Sequence, residues 1–129
     1  MPGIDVSLLE AMNVPGARGA ALVDWTCGFA LESAGEQALG GPEATAAEAA
    51  ELARLVTGAS MFAEGPVPVP APPVEDLIVT TRSGYHLVRF VDPTAEPSVL
   101  LHLWLDRTSG NLALARLRME GVAGQLALT

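Results

Sequence analysis

Ser98-Val99-Leu100-Leu101-His102-Leu103-Trp104-Leu105-Asp106 is the stretch that decides the fold. A strand with one wet face alternates apolar and polar residues. This one is apolar at both parities, the pattern of a strand covered on both sides. It is too short for a buried helix and leaves no polar face. It therefore reads as the central strand of a sheet, and the rest of the chain must supply its neighbours and covers.

The chain has 129 residues, which suits one domain over 1–129. Half of the residues are hydrophobic and mean hydropathy is +0.35, yet no apolar run approaches the roughly 20 residues needed to span a bilayer. Met1-Pro2-Gly3-Ile4-Asp5 has neither a positive region nor an apolar segment, so it does not read as a signal peptide. The apolar surplus is more easily hidden between two copies of the chain than in lipid. Formal net charge is −8, and the seven basic residues are scattered arginines, which argues against nucleic acid and against an acidic membrane surface as partners. Cys27 has no second cysteine to pair with, so a reduced, cytoplasmic setting is expected.

Working outward, Asp5 caps a first helix over Asp5–Asn13, ended by Pro15-Gly16. Arg18–Trp25 reads as a strand whose small residues expect something packed closely on it. Thr26-Cys27-Gly28 turns the chain into a return strand from Phe29, and Ala34 to Pro42 reads as loop. Pro42 and Glu43 open the longest helix, Ala44 to about Phe62. It carries two stripes. Leu52, Leu55, Val56, Ala59 and Phe62 are assigned to the core. Ala46, Ala50, Ala53 and Thr57 form a small-residue stripe, with Glu48, Glu51 and Arg54 as the solvated edge between the two. Residues 65–73 are proline-rich and read as an extended linker rather than an SH3-type ligand. Strands over Glu75–Arg82 and Tyr85–Val91, joined by Ser83-Gly84, lead through a loop at Asp92–Pro97 into the opening stretch. A last helix runs from Asn111 to about Leu126, with Ala115, Met119, Val122 and Leu126 inward. The expected class is α+β: one five-stranded sheet with helices on both faces, α-β-β-α-β-β-β-α.

That order, with Leu8-Leu9-Glu10, Val14 to Asp24 (Val-Pro-Gly-Ala-Arg-Gly-Ala-Ala-Leu-Val-Asp), Gly28-Phe29-Ala30-Leu31 and Asn111 to Arg116, resembles the roadblock/LC7 family over nearly the whole chain. The resemblance implies a profilin-like, three-layer α/β/α fold with an antiparallel sheet in the order 2-1-5-4-3. It implies a dimer joined through the second helix and third strand, which assigns Ala46, Ala50, Ala53, Thr57, Leu77 and Val79 to the interface. It also implies a non-enzymatic adaptor for a Ras-like small GTPase in bacterial signalling, with Glu48, Glu51 and Arg54 as accessible charges. The alternative is a nucleotide-independent scaffold or accessory subunit of a kinase-linked complex. The proline-rich tract departs from the family pattern.

Independent chemistry is sparse. Gly35–Gly41 lacks the Gly-Lys-Ser/Thr ending of a phosphate loop. Ser98 or Ser83 with His86 and Asp92 names the members of a triad without any nucleophile elbow. His86 and His102 face one another if Asp92–Pro97 is a hairpin loop, but two histidines make half a zinc site, so packing is the expected role. Arg54 as an arginine finger is weighed against a surface arginine beside Glu51, and the surface role is preferred. No cofactor is expected.

Overall fold

The computed structural model describes residues 4–36, 38–64, 73–92 and 97–128. Most of the proline-rich linker and the middle of the Asp92–Pro97 loop lie outside the described residues. The elements are α1 (Ile4–Met12), β1 (Ala17–Asp24), β2 (Phe29–Gly35), α2 (Gly41–Gly58), a 3-10 turn (Ser60–Phe62), β3 (Asp76–Thr80), β4 (Gly84–Phe90), β5 (Val99–Asp106) and α3 (Leu112–Ala127). The strands form one antiparallel sheet ordered β2-β1-β5-β4-β3.

β5 is central, as its apolar pattern requires. Leu101, Leu103 and Leu105 are fully buried on one face, under α1 and α3, with Leu8, Ala11, Leu22, Leu87, Ala115 and Met119 around them. Asn111 caps α3 by accepting from the Leu114 amide at 3.0 Å. Gly16 closes the α1–β1 turn at φ 84°, and a Cβ there would sit 2.6 Å from the Gly110 Cα, so both steric space and backbone conformation require glycine.

The opposite face departs from expectation. The two stripes of α2 exchange roles in part: Ala46, Ala50 and Ala53 of the small stripe are buried on the side of the chain's own sheet, in a core with Val23, Val88, Phe90 and Leu100, while of the stripe assigned to the core only Val56 is buried. Leu55 is 70% exposed and Phe62 40%. Ala46, Ala50 and Ala53 therefore have no surface to offer a second chain. The cause is the sheet beneath them. β1 and β2 present Gly19, Ala21, Ala30 and Ser33 on this side, and Gly28 brings its backbone within Cβ-contact range of Ala47 and Ala50. Small side chains on both surfaces allow this approach. Thr57 is half-buried, and its hydroxyl donates to the Ala53 carbonyl at 2.7 Å.

Boundaries also differ: α1 begins at Ile4, so Asp5 lies within the helix and is not its cap, and β1 and β4 each begin and end one residue earlier than expected. α2 ends at Gly58, where Ala59 turns extended at ψ 126°, and Ser60–Phe62 form a separate 3-10 turn. Glycine's poor helix propensity explains the stop. β2 continues through Ala34 and Gly35, paired with Ala20 and Gly19. β3 stops at Thr80, because Thr81 bonds back to Gly84 through its amide and hydroxyl.

This exchange changes what substitutions on α2 do. Ala50→Glu places a charge at a site with no exposure and should abolish the cooperative melt, whereas Leu55→Glu should shift stability by no more than about 0.5 kcal/mol. Thermal denaturation followed by circular dichroism separates them; a folded, stable Ala50→Glu protein would contradict the assignment.

Candidate functional site

α2 lies mainly over β1 and β2, and although Val88 and Phe90 of β4 are buried on the same face, the end of β3 and β4 at Val79 and His86 is left open. The result is a groove of about 290 Å³ between Thr45, Glu48 and Leu52 of α2 and Val79, His86 and Val88 of the sheet, floored by His102. Its lining is mostly apolar. Cross-strand register builds the floor: Val79 lies opposite His86, His86 opposite Trp104, and Val88 opposite His102. β3, at the open side, is an edge strand with Val79 41% exposed and Leu77 partly buried.

His86 and His102 do face one another, with Nδ1 of the first 3.0 Å from Nε2 of the second and ring planes within 8°. His86 is also nearly parallel to Trp104, centroids 5.6 Å apart. Arg18 lies over Trp104, 3.8 Å from the ring centroid, and makes a bidentate bond to Glu36 at 3.1 Å. A continuous line of side chains thus runs Glu36–Arg18–Trp104–His86–His102. Burial lowers the His102 pKa to about 4, with facing His86 adding to the shift; burial also lowers that of His86, with Arg18 contributing. The Arg18 hydrogen bond holds Glu36 below the ordinary carboxylate value.

The remaining candidates fall in different places. Glu48 and Glu51 are exposed on α2, with Glu48 at the groove wall. Arg54 is exposed but tied down, its Nη1 donating to the Trp25 carbonyl at 3.0 Å. The triad does not assemble: the Nδ1 of His86 is directed at His102, and Asp92 lies beyond the far end of β4. Among the described residues no group of three or more His, Cys, Asp or Glu could hold a metal ion. The line from Glu36 to Trp104 was not anticipated. Its signal is Trp104 at the same parity as His102 on β5, beside Gly84, where a Cβ would come within 3.0 Å of the Trp104 ring.

No family profile matches the sequence, and no curated protein matches it. Solved structures do. The Roadblock/LC7 domain from Streptomyces avermitilis superposes with a TM-score of 0.73 at 16% identity, over 95% of this chain and 93% of that one. The chain has the roadblock/LC7 fold. MglB of Myxococcus xanthus gives a TM-score of 0.71 at 18% identity, over 95% of this chain and 86% of that one. MglC of the same organism gives 0.61 at 19%, over 96% of each. At these identities the likeness is one of fold, and the groove beside α2 is read from this chain's own residues.

The histidine pair has a measurable consequence. A histidine whose pKa is lower folded than unfolded stays neutral in the folded chain while the unfolded chain gains a proton. Stability is therefore complete above about pH 7 and falls as pH drops through 6.5 toward about 4. For His102 the loss is at most about 3 kcal/mol. Urea denaturation across this range should show a shallower acid slope for His102→Gln than for the natural chain; identical slopes would contradict the assignment.

Proposed function

We propose that the chain is a non-enzymatic, homodimeric adaptor that binds and regulates a Ras-like small GTPase in bacterial signalling. The observation that carries this reading is the open apolar groove beside α2, bordered by β3, which among the described residues has no strand partner on its outer side. An apolar edge left open invites pairing with another chain. A second copy brings the same edge and the same helix wall, and a two-fold arrangement satisfies both at once. On this reading Leu77, Val79, Leu52 and Ala49 contact the second copy, while Ala46, Ala50 and Ala53 support α2 from beneath. Glu48 and Glu51, with the exposed Leu55 and Met61, give the paired helices an acidic and apolar outer surface for the GTPase.

The GTPase itself rests on the resemblance to roadblock/LC7 proteins. The tethering of Arg54 favours the second reading on one point: its guanidinium is held by the Trp25 carbonyl and is not extended toward a partner's nucleotide. A scaffold indifferent to nucleotide, within a kinase-linked complex, is the alternative this supports. No helix among the described residues is long and apolar enough to cross a membrane.

Light scattering should give twice the chain mass for the natural protein. Val79→Asp should give a folded monomer, because it places a charge at an exposed edge position that the dimer covers. A natural monomer, or a dimeric Val79→Asp protein, contradicts the assigned interface. Capture of a Ras-like GTPase should depend on whether GTP or GDP is bound; equal capture supports the scaffold, and capture in neither state removes the GTPase reading.

A further inference from the structure

The two facing ring nitrogens of His86 and His102 hold one proton between them, so that one ring donates and the other accepts. One added proton keeps the bond, as imidazolium to imidazole, but places a charge in the floor of an apolar groove. A second added proton leaves two N–H groups pointing at each other and abolishes the bond. Neither charged state suits a floor that another apolar surface must cover, because a covered charge loses its water.

We propose that the His86–His102 pair makes closure of the α2 groove by a second copy of this chain proton-sensitive. The neutral, hydrogen-bonded pair is the floor that the second copy covers, and protonation of the pair opens the dimer. This rests on the dimeric reading above. The link follows from thermodynamics: if covering the groove further disfavours the charged rings, uptake of protons must disfavour the covering to the same extent.

The surrounding charges set the sign. α2 contributes Glu48 at the groove wall and the hydroxyl of Thr45. β1 contributes Arg18, whose positive charge disfavours protonation of His86. Glu36, beyond β2, holds that guanidinium in place, and Asp106 at the end of β5 also acts on it. β3 contributes Val79 to the groove, and β4 contributes Val88. Glu48 is the one carboxylate among the groove's lining residues, and in the single chain it is exposed to water that screens it.

Sedimentation velocity over a concentration series, from about pH 7.5 to about pH 4, tests the link. The dimer dissociation constant of the natural chain should rise at least about threefold by the lower end, where a one-unit shift on covering is about half expressed in each of the two pairs. A chain carrying His86→Asn and His102→Gln, whose amides stand where Nδ1 and Nε2 stood, should keep a nearly constant value. An equal rise in that chain, or a constant value in the natural one, overturns the proposal while leaving the dimer intact. A natural chain that is monomeric throughout at about pH 7.5 overturns the dimeric reading and the proposal with it. If the double variant is unfolded by circular dichroism, His86→Asn alone is used, and its curve must be flatter than the natural one or the proposal fails.

Discussion

The close approach of α2 to the β1–β2 half of the sheet governs the rest of the molecule. It is possible because both surfaces are small: Ala46, Ala50 and Ala53 above, Gly19, Ala21, Ala30 and Gly28 below. Close seating draws the helix to one side of β5. On the far face, α1 and α3 cover the sheet and enclose Leu101, Leu103 and Leu105. On the near face, one helix cannot cover five strands, so Val88 and Phe90 of β4 are buried but the Val79–His86 end of β3 and β4 stays open. The groove, its exposed edge strand and the half-buried histidines all follow from where α2 sits.

That placement was legible only in part. β5 could be read as central because eight residues apolar at both parities have no other stable place. The small residues of Arg18–Trp25 correctly called for a close neighbour. The alanine stripe of α2 is part of that neighbour, whereas from sequence alone the core is assigned to the larger side chains and the alanines to an interface with a second chain. Periodicity reports which residues share a face and is silent on which face turns inward. When a helix carries two apolar stripes, the distance to its partner surface decides between them. Over β1 and β2, where glycine and alanine face the helix, the alanines are turned in, and Leu55 is turned out.

The facing of His86 and His102 depended on register, and the hairpin reading anticipated it. The strength of their coupling did not follow from sequence. It required the coplanar rings, the Trp104 ring beside them and the Arg18–Glu36 pair that closes the line. Glu36 lies just past β2 and 18 residues from Arg18, in a segment that read as loop. Extending β2 through Gly35 is what carries Glu36 to Arg18, where its amide also donates to the Arg18 carbonyl at 2.8 Å. A pair of that kind is seen only after the strands are aligned.

The central claim is that the groove and the β3 edge are covered together by a second chain. Amide hydrogen exchange, resolved to single residues and measured at several protein concentrations, addresses it most directly. The outward-facing amides of Asp76–Thr80 should gain protection as concentration rises, while amides of β5 stay protected throughout. Rapid exchange along β3 at concentrations where the protein is fully dimeric would contradict the account, because the second chain would then lie elsewhere.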